Sequence, residues 1–153
     1  MLGYSEHMRY SFFALFLTAQ LLWAQNPSAG LQQDEILSLV GIRLDDLVTR
    51  FGLPHSVRSQ RGEEPWQDDV VFVYNEGDFY IYQDRVWQIG LRSAYGMSIG
   101  DSSVVALLIF GEGVQDSGGH HIYQLPGAQW PLSLRVNIND GRISGIFIFR
   151  QDF

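Results

Sequence analysis

Gly41-Ile42-Arg43-Leu44-Asp45-Asp46 is echoed by Gly96-Met97-Ser98-Ile99-Gly100-Asp101, and the same order of elements follows each stretch. The echo lies 55 residues on at the helix start, 59 at the helix end (Phe51-Gly52 against Phe110-Gly111) and 57 at the last strand. A drift of four residues is about one helical turn, which predicts a second helix longer by a turn. Long-period repeats suit propellers and arrays, but two copies cannot close a ring. The expected fold is therefore α+β. Tandem helix–three-strand-meander repeats form one antiparallel sheet of six strands, with helices packed on one face.

Local signals support each element of that plan. Gln32 to Val40 places Asp34 and Glu35 in a first turn, where they suit the helix dipole, and Ile36, Leu39 and Val40 share a face. Gly41 closes it. Leu44 to Phe51 carries a stripe of Leu44, Leu47, Val48 and Phe51, and Gly52 with Pro54 ends it. The period then changes. Val70–Tyr74, Phe79–Tyr82 and Val86–Leu91 are short, β-branched and aromatic, with turns at Asn75–Asp78 and Gln83–Arg85. In the second copy a helix from about Ser102 to Phe110 precedes strands at His120–Leu125, Leu132–Ile138 and Arg142–Arg150, the last two joined by Asn139-Asp140-Gly141.

Upstream, residues 11–24 form an apolar run of signal-peptide length behind Arg9, too short to cross a membrane comfortably. A start at Met8 gives the tidier leader, because it leaves out Glu6 and His7. The expected organisation is a signal peptide at 1–24, a linker at 25–31 and one pseudo-symmetric domain at 32–153. Repeat one covers about 32–93 and repeat two about 94–153. The product is expected to be exported, periplasmic or secreted, with no membrane insertion once the leader is removed.

Composition then removes function classes. All ten cations are Arg and none is Lys; against seventeen acids the net charge is −7, which disfavours a nucleic-acid partner. The absence of Cys excludes disulfides, thiolate chemistry and an acylated N-terminal Cys.

The stretch Leu39 to Pro54 resembles the Gly-x-x-x-x-(acid)-Val-x-x-x-(aromatic or Leu)-Gly-x-Pro signature of the β-lactamase-inhibitor-protein-like fold and the related small outer-membrane-assembly lipoproteins. One strong motif, a degenerate second copy and the order of elements carry it over about 110 residues. The resemblance implies an exported, non-enzymatic protein that presents one sheet face to a protein partner. It departs from the family in lacking both the disulfides of one branch and the acylated Cys of the other.

Catalytic chemistry finds little support. His120 and His121 are adjacent in an expected strand, so they point to opposite faces and cannot share one ion. No Gly-x-Ser-x-Gly elbow, phosphate loop or dinucleotide fingerprint is present. No catalytic residue, metal or cofactor is expected. The alternative is a small secreted hydrolase or metal-dependent enzyme using His55 or the acids Glu63, Glu64, Asp68, Asp69, Glu76 and Asp78. Such adjacent loop carboxylates are more commonly a solvated rim.

Aromatic residues point elsewhere. Leu132 to Asn139 alternates cleanly, sending Ser133, Arg135, Asn137 and Asn139 away from the helices. Carried back by 57 residues, this puts Phe79, Ile81, Trp87, Ile89 and Leu91 inward and Tyr80 and Tyr82 outward. The expected partner-binding face comprises Phe72, Tyr74, Tyr80, Tyr82, Arg92, Arg135, Phe147 and Phe149, the composition of a protein-binding hot spot. The competing reading makes these rings a second small core. A one-residue slip at the Asn75–Asp78 hairpin would reverse every assignment on that strand. Partner identity and oligomeric state are left open.

Overall fold

A computed structural model describes residues 31–61 and 69–152. The expected leader, most of the linker, Glu63, Glu64, Trp66 and Asp68 lie outside the described residues. The order is α1 (Gln33–Leu39), α2 (Leu44–Phe51), β1 (Ser56–Gln60), β2 (Asp69–Val73), β3 (Asp78–Tyr82), β4 (Arg85–Leu91), β5 (Ser93–Ala94), β6 (Met97–Ser98), α3 (Ser103–Phe110), β7 (Val114–Gln115), β8 (His121–Leu125), β9 (Leu132–Asn139) and β10 (Arg142–Arg150). Eight strands form one antiparallel sheet in the order β1-β2-β3-β4-β10-β9-β8-β7, and β5 with β6 makes a separate hairpin. The α+β class with an antiparallel sheet is as expected, but the sheet has eight strands and not six. Both additional strands lie at its edges. β1 is exposed at every position, so it has no apolar alternation to read and is held by its ladder to β2.

Helices α2 and α3 sit in matching hydrogen-bond frames. Leu44 N donates to Asp84 O and Ser103 N to Gly141 O; Val86 N donates to Ile42 O and Ile143 N to Asp101 O. Arg85 and Arg142 each reach back, to the carbonyls of Gly41 and Gly100. Each helix has eight residues and ends at a glycine with φ near +75°, Gly52 at 77° and Gly111 at 75°. The longer second helix is thus corrected. Gly41 corresponds to Gly100, not Gly96, and the four additional residues belong to the β5–β6 hairpin region before it.

The main core lies between this helical layer and one sheet face. Phe79, Ile89, Leu134 and Ile148 are fully buried there beside Leu39 and Leu47. β9 alternates as expected: Leu132, Leu134 and Val136 face the helices. No helix among the described residues is long and apolar enough to cross a membrane.

Candidate functional site: the outer sheet face

Strand register determines which expected site residues meet. Facing away from the helices, one row crosses the sheet as Arg58, Val71, Tyr80, Gln88, Phe149 and Ser133, and a neighbouring row as Asp78, Gly90, Phe147 and Arg135. Tyr80, Arg135, Phe147 and Phe149 therefore come together. Tyr82 lies on the same side, half-buried near the β3 end.

Phe147 is the platform. Its ring lies over Gly90, where an added Cβ would come within 3.2 Å of it, and against Gly145, where the distance would be 2.7 Å. The Arg135 guanidinium stacks on that ring at 4.6 Å and reaches Phe149 at 5.8 Å. One Nη donates to Gln88 Oε1 at 3.3 Å. Burial pulls the guanidinium below the ordinary arginine range, opposed by the charges of Asp116 and Tyr80. Along the same strand, Ser133 Oγ, Arg135 Nε and Asn137 Oδ1 are buried without a hydrogen-bond partner among the described residues. A half-desolvated arginine stacked on one ring and near a second has the chemistry to meet planar or carboxylate groups.

The other half of the face is closed. Tyr80 is only 4% exposed, with its ring edge-on to Trp87 and Phe147, both at 6.4 Å. Arg58 lies 6.0 Å over it and forms an ion pair with Asp78 at 2.8 Å. Val71 is fully buried beneath. Around Tyr80, then, a second small core has formed, while the β9–β10 side stays half-exposed.

Several expected positions differ. Phe72 pairs with Phe79 and packs against the helix-side core, so it is not on the outer face. Tyr74 is also in that core. It is 6% exposed, edge-on to Phe79 at 5.5 Å, and its hydroxyl donates to Gly52 O at 3.0 Å. Its ring also meets Phe51 at the end of α2, with the centroids 5.8 Å apart. Arg92 is exposed just past β4, in contact with none of these rings among the described residues. Trp87, expected inward, lies outward: a bulge at Tyr80/Ile81 lets Ile81 pair with Val86 and turns Trp87 to the outer side, where its indole N–H donates to Asp69 Oδ1 at 2.9 Å. Gln88 and Val71 were missed for the same reason, since neither looks distinctive until the register is known.

For the enzyme alternative, the candidate side chains among the described residues are not brought together. His55 is exposed on the turn before β1, Asp69 is bonded to Trp87, and Asp78 to Arg58. Among the described residues no three His, Cys, Asp or Glu side chains are grouped to hold a metal ion. His120 precedes β8 and bonds Asp116 through Nδ1 at 2.9 Å, while the same carboxylate accepts the Gly118 and His120 amides. That arrangement ties the β7–β8 loop. His121 faces away from it, beside Gln115.

No family model matches the chain, and no curated protein matches it. Among solved structures it is similar to an extracellular protein containing an SCP domain from Bacillus anthracis str. Ames, at 10% identity and a TM-score of 0.48, over 84% of this chain and 50% of that one. It is also similar to a cysteine-rich secretory protein from Staphylococcus aureus subsp. aureus Mu50, at 9% identity and a TM-score of 0.47, over 75% of this chain and 44% of that one. The chain spans about half the length of the solved structures it matches. The likeness is one of general shape, and no site or activity is carried over from it. The expected kinship with β-lactamase-inhibitor-like proteins and outer-membrane-assembly lipoproteins is corrected by these matches, which are SCP-domain and cysteine-rich secretory proteins. Its motif has a local cause that needs no kinship. Asp45 and Asp46 occupy the first turn of α2, and Gly52, at a φ open to glycine, ends it before Pro54.

Proposed function

We propose that the protein is an exported, non-catalytic binding module that recognises a protein partner through the β9–β10 half of its outer sheet face. The observation that carries this reading is Arg135, half-desolvated beside Phe147 and Phe149 with its Nε unpartnered among the described residues. Aromatic and Arg side chains that are already ordered and partly dehydrated lose little on binding, which is why such groups dominate interface energetics. Export rests on the apolar run 11–24 behind Arg9. We also propose that the two halves are copies of one unit. The matched hydrogen bonds around α2 and α3 and the mirrored strand order support it.

The test is capture from an envelope extract by the immobilised protein. Wild type retains one protein, and Arg135→Gln and Phe149→Gln lose it while keeping the wild-type melting temperature. Equal capture by wild type and both variants removes the outer face from the account.

A further inference from the structure

α3 reads Ser103-Val104-Val105-Ala106-Leu107-Leu108-Ile109-Phe110, apolar around its whole circumference, yet only Ala106 is buried. A helix of that composition belongs inside a protein. Instead Leu108 is 79% exposed, Val104 53%, Leu107 49% and Ile109 45%, with Val114 75% exposed nearby on β7. α2 occupies the corresponding hydrogen-bond frame and is built differently. Its single buried residue is Leu47, and its exposed positions are Asp45, Asp46, Thr49 and Arg50. Seating such a helix on this sheet therefore needs one buried side chain, not an apolar outer surface. The apolar outer surface of α3 serves something beyond the fold.

We infer that α3 is the contact through which two copies of this chain associate about a two-fold axis. Charge favours a second copy. The chain carries −7, so two copies repel over most of their surfaces, but Ser102 to Gly111 contains no ionisable residue. Area favours it as well. The exposed apolar side chains of α3, Ile99 and Val114 amount to on the order of 600 Å² per copy, which brings a pair to the lower end of the range of stable interfaces and matches the largest apolar patch an ordinary monomer leaves open. Shape supplies the pairing. A cleft of about 410 Å³ lies beside the stripe, lined by Val104, Leu107, Glu112, Gln115, His121 and Tyr123. Leu108, one helical turn on from Val104, is the most exposed side chain of α3. A projecting leucine and a receiving cleft on one surface form a self-complementary patch, so a two-fold axis seats each copy's Leu108 in the other's cleft and closes the assembly at two.

Sedimentation velocity on the purified full chain tests this. Wild type is expected at twice the mass of one chain, with a melting temperature that rises with protein concentration. Leu108→Glu is expected at the mass of one chain, with its melting temperature independent of concentration. Thr49→Glu, at the equivalent place on α2, stays dimeric. Should Leu108→Glu fail to fold, Val104→Gln replaces it with the same expectation. A wild-type monomer at the highest soluble concentration overturns the inference, whether another protein or residues 11–24 of the chain itself cover α3. A dimer that survives both substitutions overturns it equally. Loss of dimerisation leaves capture through Arg135 and Phe149 untouched, so the two surfaces fail separately.

Discussion

Replacing Tyr80 by Ala separates a ring that holds the protein together from one that only greets a partner. The side chain is 4% exposed, meets Trp87 and Phe147 edge-on and lies beneath Arg58. Truncating a buried aromatic costs about 3–5 kcal/mol, from lost transfer energy plus the cavity left behind. Tyrosine's polar hydroxyl places the expectation near the lower end, about 3 kcal/mol. For a domain of this size that is a fall of about 10–15 °C in melting temperature. In urea the midpoint falls by about 1–2 M with an unchanged slope, because the surface exposed on unfolding hardly alters. Tryptophan fluorescence and far-ultraviolet circular dichroism should report the same midpoint. Tyr82→Ala, at a half-buried position, is expected to cost less than about 1 kcal/mol. If Tyr80→Ala proves as mild as Tyr82→Ala, the second core does not exist and the outer face is open across its width.

Three further substitutions or conditions probe separate parts of the account. Gly41→Ala should destabilise by about 2–3 kcal/mol in urea titration, because φ is +94° and the new Cβ would overlap the Trp130 indole; an effect below about 0.5 kcal/mol would contradict that packing. Gly145→Ala should displace the Phe147 ring from its seat, reducing partner capture and shifting the Phe147 ring resonances, whereas unchanged resonances would mean that Gly145 does not shape the platform. Around Asp116 the result should depend on pH. Burial raises its carboxyl, but the His120 side chain and the Gly118 and His120 amides outweigh that and hold it below the usual carboxylate range. A group depressed in the folded state contributes stability above its unfolded value, about 3.9, and loses it as pH falls through the folded value. Amide protection at Gly118 and His120 should thus be flat from about pH 5 upward and decline only below about pH 4. Loss of protection between pH 5 and 7 would refute the assignment.

What the sequence made legible follows from where alternation is clean. In β9 Ser133, Arg135 and Asn137 each have an apolar neighbour on either side, so Arg135 could be assigned outward without knowing its partner strands. The glycine-ended helices were equally plain, since Gly52 and Gly111 mark backbone that other residues rarely adopt. Trp87 was not legible, because the bulge that turns it outward is a property of the β3–β4 pairing and not of either strand. Phe72 and Tyr74 were misread because the Asn75–Asp78 hairpin left the register of their strand open; both pack on the helix side, Tyr74 against Phe51. α3 was read as a helix, and its unbroken apolar run already contrasted with the polar residues of α2. Reading that contrast as an exposed surface required knowing that the sheet buries only Ala106.

Recognition through the β9–β10 face is tested most directly by site-specific photocrosslinking in the source cell. With p-benzoylphenylalanine in place of Phe149, irradiation should yield one dominant adduct between this chain and a different protein, and the same residue in place of Thr49 should yield none. No adduct at 149, or the same adduct from both positions, would contradict the account.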